Sequence, residues 1–320
     1  MEMIKFHEMI EGASNIALAS HLNPDGDNLG SLSALSKYLK KLNKEVYTIF
    51  DDVMIDDFKF LFNGIETIKS SELKNVDLFI TLDSADLNRI GKDAKDLYNN
   101  SKKTICIDHH HTNDGYADFN VIEKNASSTC EVLFKLLKKE IIDEEIATSI
   151  LTGISTDTGS FKYENTSGDT HRIAAELLDL GAKNLDITVN VYQSNPKSKI
   201  MLLNEALSRL EFYSEGKIAF IALPKEISLN KDYKKSDSEG IVEYIRDIEG
   251  VEIAIFLKEK EDEIRVSFRA KSYADVSKIA SKFGGGGHVM AAGATCHGEL
   301  RIAKEEILNE AIKEIKCKES

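Results

Sequence analysis

The chain has 320 residues, of which 41 are basic and 54 acidic, for a formal net charge of −13. That length exceeds the roughly 100 to 200 residues of a single domain, so two domains are expected. The acidity is a poor match to a long polyphosphate backbone and disfavours long duplex nucleic acid as a partner, while small anionic substrates stay open because a few placed Arg or Lys side chains or bound divalent cations neutralise one or two phosphates locally.

The cysteines Cys106, Cys130, Cys296 and Cys317 stand singly, without a C-x-x-C pair, which signals neither a disulfide framework nor a structural zinc site. No apolar run reaches the ~18 residues of a membrane span, and the opening MEMIKFHEMIEGASN reads as a short amphipathic stretch rather than a signal peptide. The expectation is a cytoplasmic chain without a membrane partner.

In chain order, runs rich in Ile, Val and Leu recur at residues 15–20, 45–50, 77–82 and 103–107, each followed by a helical pattern. Leu29, Leu32, Leu35, Leu39 and Leu42 repeat at helical spacing, and residues 127–139 and 144–154 show similar faces. This alternation predicts a doubly wound α/β domain with a mainly parallel sheet. Ligands in such folds sit beyond the carboxyl ends of strands, so chemistry should gather where an apolar run stops. The alternation pauses near residues 189–195, and residues 197–212 read as one amphipathic helix connecting two domains. Strand-like KIAFIAL follows, then a helix over 238–248, strand-like VEIAIFLK and EIRVSFRA, a glycine run and a closing helix over 300–315. The resulting division is a first domain over 1–190, a helical linker over 191–213 and a smaller mixed α/β domain over 214–320. The charged KEKEDE is read as a solvated hairpin turn.

Several core segments of the first domain end in groups suited to chemistry. HLNPDGDNLGS presents His21, Asp25 and Asp27 in one loop before a helix starting near Asn28; ordinary turn formation and helix capping explain that pattern equally well. DLFITLDSAD ends at Asp83, with Asp86 just beyond. A carboxylate directly after a core strand must reach solvent or a partner, and a cation would supply one. KTICIDHHHTND ends in Asp108, His109, His110 and His111, followed by Asn113. Adjacent side chains point to different sides, so one imidazole can bind metal while the next faces substrate. ILTGISTDTGSFKY breaks into a Gly, Ser and Thr loop around Asp157, which alone reads as a turn cap. Independent turn chemistry would not put Asp or His at the end of several core segments of one α/β domain. Carboxylates and imidazoles without cysteine suit Mn²⁺ or a similar divalent ion, and their number allows two ions sharing a bridging carboxylate. Two ions about 3.5 to 4 Å apart would clamp a phosphate and acidify a water between them.

With these residues in view, the first half resembles the DHH phosphoesterases, a superfamily that includes RecJ-type exonucleases and manganese-dependent inorganic pyrophosphatases. The second half is similar to the DHH-associated domain. The resemblance rests on His21, Asp25 and Asp27 in HLNPDGD, Asp83 in LDSAD, Asp108, His109 and His110 in DHH, Asp157 in STDTGSF, and GGGGHVMAAG from Gly284. It implies two divalent ions, Mn²⁺ by preference: one held by His21 and Asp25, the other by Asp27, His109 and Asp157, with Asp83 bridging. It further implies that His110 contacts the scissile phosphate or assists as an acid, that Asp108 orients its neighbouring histidines, and that Asn113 joins the substrate contacts.

In the second domain the resemblance assigns Arg269, in VSFRA, to grip a substrate phosphate, as suits a bidentate guanidinium. Arg265 should lie on the same strand face. Gly285, Gly286, Gly287 and His288 are expected at the substrate, the glycines as an anion-binding nest of free backbone N–H groups. Two departures are Ala270, where many relatives carry Ser, and the third histidine, His111.

Among relatives, the two-domain layout looks most like the nanoRNase and pAp-phosphatase group, which removes nucleotides from very short RNA and the 3'-phosphate from pAp. The expected partner is thus a short oligonucleotide or nucleotide, with the oligomeric state open, a homodimer included. A cyclic di-AMP or pApA phosphodiesterase is the nearest rival. An inorganic pyrophosphatase is disfavoured by the GGGGH and Arg269 pattern, and a non-catalytic nucleotide-binding module by the full complement of expected ligands.

Overall fold

The computed structural model describes residues 2–319. They divide into two compact units, one ending at Ser194 and the other starting at Asn195.

The first unit opens with helix α1 (Glu2–Glu11) and strand β1 (Asn15–Ala19). Helix α2 (Gly26–Lys41), strand β2 (Glu45–Ile49), the short β3 (Thr67–Ile68) and strand β4 (Leu78–Leu82) follow. Next come α3 (Lys92–Asn99), β5 (Lys103–Asp108), β6 (Phe119–Ile122), α4 (Thr129–Leu136), α5 (Glu144–Asp157), α6 (Gly168–Asp179) and α7 (Asn184–Ile187). The strands form one six-stranded sheet in the order β3-β2-β1-β4-β5-β6, and every neighbouring pair is parallel. Alternation along the strands divides the core: Ile16, Leu18, Leu78, Ile80 and Leu82 join the cluster under α2, α4 and α5, whereas Ala17, Ala19 and Phe79 join the one under α3. Both faces being covered is what near-continuous apolar strands require. Strand order reverses between β1 and β4, so the crevice beyond their carboxyl ends is the switch point where this architecture binds ligands.

The second unit begins with helix α8 (Lys197–Leu207), strands β7 (Glu211–Tyr213) and β8 (Ile218–Leu223) and helices α9 (Lys225–Ser228) and α10 (Ile241–Arg246). It continues through β9 (Ile253–Glu259), β10 (Ile264–Ala270), α11 (Val276–Lys282), β11 (Gly286–His288), β12 (Ala291–Cys296) and α12 (Leu300–Glu319). Its sheet runs β11-β12-β10-β9-β8-β7, with β8 and β9 parallel and the other pairs antiparallel. The architecture is therefore the expected parallel α/β unit followed by a mixed one.

The stretch 197–212 departs from the expected single connecting helix. Helix α8 ends at Leu207, and Phe212 lies in edge strand β7, paired with Ala219 of β8. Leu202 and Ala206 of α8 are buried with Ile221 and Phe256, so this helix belongs to the second unit's core, not to a linker over 191–213. A helix with an apolar face gains more by covering a sheet than by spanning solvent. Among the described residues, no helix is long and apolar enough to cross a membrane.

Candidate functional site

Four segments of the first unit bring their side chains to the switch point. The loop after β1 carries His21, which is buried; its Nδ1 lies 2.9 Å from the carbonyl of Leu22. With Nδ1 donating there, Nε2 is left as a lone-pair donor, 3.6 Å from Asp83 Oδ2. Burial holds the imidazole below its ordinary pKa, so the neutral, ligating form is favoured. Asp25 caps α2, accepting from the Asn28 N–H at 3.0 Å. Asp27 follows in the first helical turn and is 1% exposed. It accepts from the backbone N–H groups of Thr129 at 2.6 Å and Cys130 at 2.9 Å, the amino end of α4. Asn28 ties the crevice together: its amide donates to the carbonyl of Leu82 at 3.0 Å and its oxygen accepts from Ser20 at 2.6 Å.

Asp83 directly follows β4 with a left-handed backbone, φ 55°, uncommon for a non-glycine residue outside Asn and Asp. Its N–H continues the sheet to Ile107 at 3.0 Å, and Oδ1 accepts from the Thr129 hydroxyl at 3.0 Å. Beyond β5, His109 Nε2 stands 3.7 Å from Asp83 and 3.6 Å from Asp157, the last residue of α5. The next residue, His110, has Nδ1 2.7 Å from Asp108, which is fully buried and takes a second bond from Asn113 Nδ2 at 2.7 Å. Burial opposes the Asp108 charge, but the bonds from His110 and Asn113 hold its carboxyl below the usual range. The same contact raises the His110 pKa against the opposing effect of burial.

Three overlapping sets of ligand atoms result: His21, Asp25 and Asp83; Asp83, His109 and His110; and Asp27, His109 and Asp157. Within each set the atoms lie within 4.8 Å of one another, with Asp83 and His109 each shared by two sets. The carboxylates fit a cation because they lack compensation. Burial and then the charge of Asp27 push Asp83 well up, and burial with Asp27 and Asp25 lifts Asp157 to about 8. Oxygen and imidazole donors without thiolate suit a borderline-hard divalent ion.

Several residues differ from expectation. Asn113 is 1% exposed and spends its amide on Asp108 and the carbonyl of Ser84, so it positions the aspartate instead of touching substrate. Asp157 completes a helix instead of lying in a loop. His111 is exposed, in the turn after β5. Thr129 and the amino end of α4 were not anticipated; SST before a helix looks like an ordinary cap, which Ser128 indeed supplies.

In the second unit Arg269 lies on β10, where Nη2 meets Glu243 at 2.9 Å and Nε meets it at 3.0 Å. Arg265 and Arg269 line one cleft of about 300 Å³ with Lys258, Ser267 and Glu239. The glycine run departs from a free nest. Gly284 and Gly285 donate to the end of α11, at Ser281 and Ala280. A Cβ on Gly285 would sit 2.1 Å from the Gly293 carbonyl, and one on Gly287 2.5 Å from that of Ala291, so close packing of β11 on β12 demands both glycines. Gly286 and the exposed His288 face open space.

A parallel α/β sheet carrying interleaved carboxylates and imidazoles at its switch point forms a candidate centre for divalent ions. Residues 15–154 match the DHH family, N-terminal domain, and residues 216–317 match the DHHA1 domain. The bifunctional oligoribonuclease and PAP phosphatase NrnA of Thermus thermophilus is 35% identical over 308 residues, 93% of this chain and 89% of that protein. Its Bacillus subtilis counterpart is 28% identical over 287 residues, covering 88% and 89%. The crystal structure of an exopolyphosphatase-related protein from Bacteroides fragilis matches with a TM-score of 0.88 at 29% identity, over 98% of this chain and 95% of that one. This chain belongs to the DHH family, and the resemblance read from its motifs is borne out.

Proposed function

We propose that the chain hydrolyses short oligoribonucleotides and removes the 3'-phosphate of pAp, with two divalent ions, Mn²⁺ by preference, in the first unit. The observation that carries this reading is the trio of interlocked ligand sets sharing Asp83 and His109. The near full-length likeness to relatives named for these two activities supports the substrate class.

His21 and Asp25 would hold one ion and Asp27, His109 and Asp157 the other, with Asp83 available to both. Divalent ions held by these residues would supply Lewis acidity at the phosphoryl group and a water of lowered pKa. His110 is held by Asp108 through Nδ1, which leaves Nε2 to face the substrate and hand a proton to the leaving oxygen. Its raised pKa favours the protonated form that this task needs. In the second unit, Arg269 trades Glu243 for a terminal phosphate, and His288, beside the open Gly286, contacts the nucleotide. Gly285 and Gly287 shape the edge that presents them.

Metal-free protein given Mn²⁺ and incubated in parallel with pAp, pApA, a 5'-phosphorylated trinucleotide, a 24-mer, cyclic di-AMP and pyrophosphate tests the reading. Manganese-dependent cleavage of pAp and the short linear species, with little of the 24-mer, is expected. Preference for cyclic di-AMP would move the chain to second-messenger turnover, and inactivity on all six would overturn the assignment.

A further inference from the structure

Between the loops that carry His21 and Asp83 lies a half-buried arginine that none of the motifs singles out. Arg89 sits in the one-turn 3-10 helix Leu87–Ile90, which Asp86 caps by accepting from the Asn88 N–H at 2.8 Å. Ser84, next to Asp83, donates to the Asp86 carbonyl at 3.0 Å, and the Arg89 carbonyl accepts from the Leu22 N–H, next to His21, at 2.8 Å. The turn is thus pinned to both loops of the switch point. The Arg89 charge is felt at both His21 and His110.

Its turn is attached to both loops of the acidic cluster, yet among the described residues no side-chain hydrogen bond or ion pair engages Arg89. The neighbouring acids are committed elsewhere. Asp86 holds the cap of its own turn, Asp108 is bound to His110 and Asn113, and Asp27 takes the amino end of α4. A cation half removed from water, on a turn pinned through its backbone and without a side-chain partner, suits an anion brought in from outside. Its planar fork matches two oxygens of a phosphoryl group, and it supplies positive charge that the acidic cluster lacks.

We propose that Arg89 grips a non-bridging oxygen of the phosphate being cleaved; this rests on the functional reading above. Both substrate types present that group, so the Arg89 contact is common to phosphodiester and phosphomonoester.

The test uses the full chain with Mn²⁺, as wild type, Arg89→Ala and Arg89→Lys. It measures kcat and KM on pAp and on pApA, orthophosphate affinity by calorimetry, and melting temperature as a check on folding. For Arg89→Ala, kcat/KM is expected to fall about 100-fold on both substrates. Orthophosphate should bind at least about tenfold more weakly. The lysine variant should recover part of each loss with an unchanged melting temperature; it also carries the test if the alanine variant does not fold. Unchanged kinetics, or a loss confined to pApA, would overturn the proposal. Should the wild type turn over neither substrate, the functional reading fails by itself. Orthophosphate affinity then decides Arg89: equal affinity in wild type and variants rejects the contact, and weakened affinity sustains it.

Discussion

The Asp83 carboxylate has imidazole nitrogens of His21, His109 and His110 at 3.6, 3.7 and 3.6 Å. Asp83→Asn keeps the side-chain shape and the bond from Thr129 but removes the charge shared by two of the ligand sets. Turnover should fall about 10³-fold or more, measured at saturating substrate and Mn²⁺. Asp108→Asn tests His110 differently. Because the Asp108 contact raises the imidazole pKa, its loss lowers it, and a general acid works only while protonated. The alkaline limb of the kcat profile should move to lower pH and kcat should drop about 100-fold; an unmoved limb would remove His110 from the acid role. At this scale the acids and imidazoles after strands were legible from abrupt ends of apolar runs. Asn113 was misread because its sequence position is polar and loop-like, and only three-dimensional packing shows its amide spent on Asp108.

Helices α2 and α5 cross closely enough that Gly30 has no room for a side chain: a Cβ would lie 2.6 Å from the Ser149 carbonyl oxygen and 3.0 Å from the Gly153 nitrogen. Gly153 is equally confined, its Cβ meeting Cys130 Sγ at 2.2 Å and Asp27 Oδ1 at 2.7 Å. Gly30→Ala should therefore cost about 1–3 kcal/mol by overpacking, read from urea denaturation. Gly153→Ala should in addition weaken Mn²⁺ binding by displacing Asp27, whereas Gly286→Ala, facing open space, should leave stability unchanged. Long elements with clear periodicity, α2 and the strands β1, β4 and β5, could be read from the chain. The two-residue β3 and the short β6 carry too few side chains for a period to show. Residues 197–212 kept helical spacing through a stretch where pairing with β8 turns Phe212 into a strand. Both sheet edges hide from periodicity because they are set by partners distant in sequence.

For the whole molecule, the unneutralised cluster makes stability depend on pH. The Asp157 carboxyl binds its proton up to about 8 in the folded metal-free chain, against the ordinary 3.8, so between these values the native state holds more protons than the unfolded one. The contribution of Asp157 to the stability of the metal-free protein therefore falls as pH rises from about 4 to about 8, with Asp83 acting in the same direction and the buried His7 and His21 opposing it in the lower part of that range. Thermal scans without metal should show that slope. Saturating Mn²⁺ should flatten or reverse it, because the ion binds the native carboxylates in their ionised form. A metal-free melting temperature that climbs over this range would contradict the picture of uncompensated charge.

The left-handed backbone at Asp83 narrows what evolution can do there. Asn and Gly accept that geometry readily, while Ala, Ser or Glu add conformational cost to the chemical one. A duplicated copy drifting from hydrolysis toward mere nucleotide capture has one cheap exit, replacement of this aspartate by asparagine or glycine. That exchange is accordingly the mark by which silent descendants of the enzyme should be recognised.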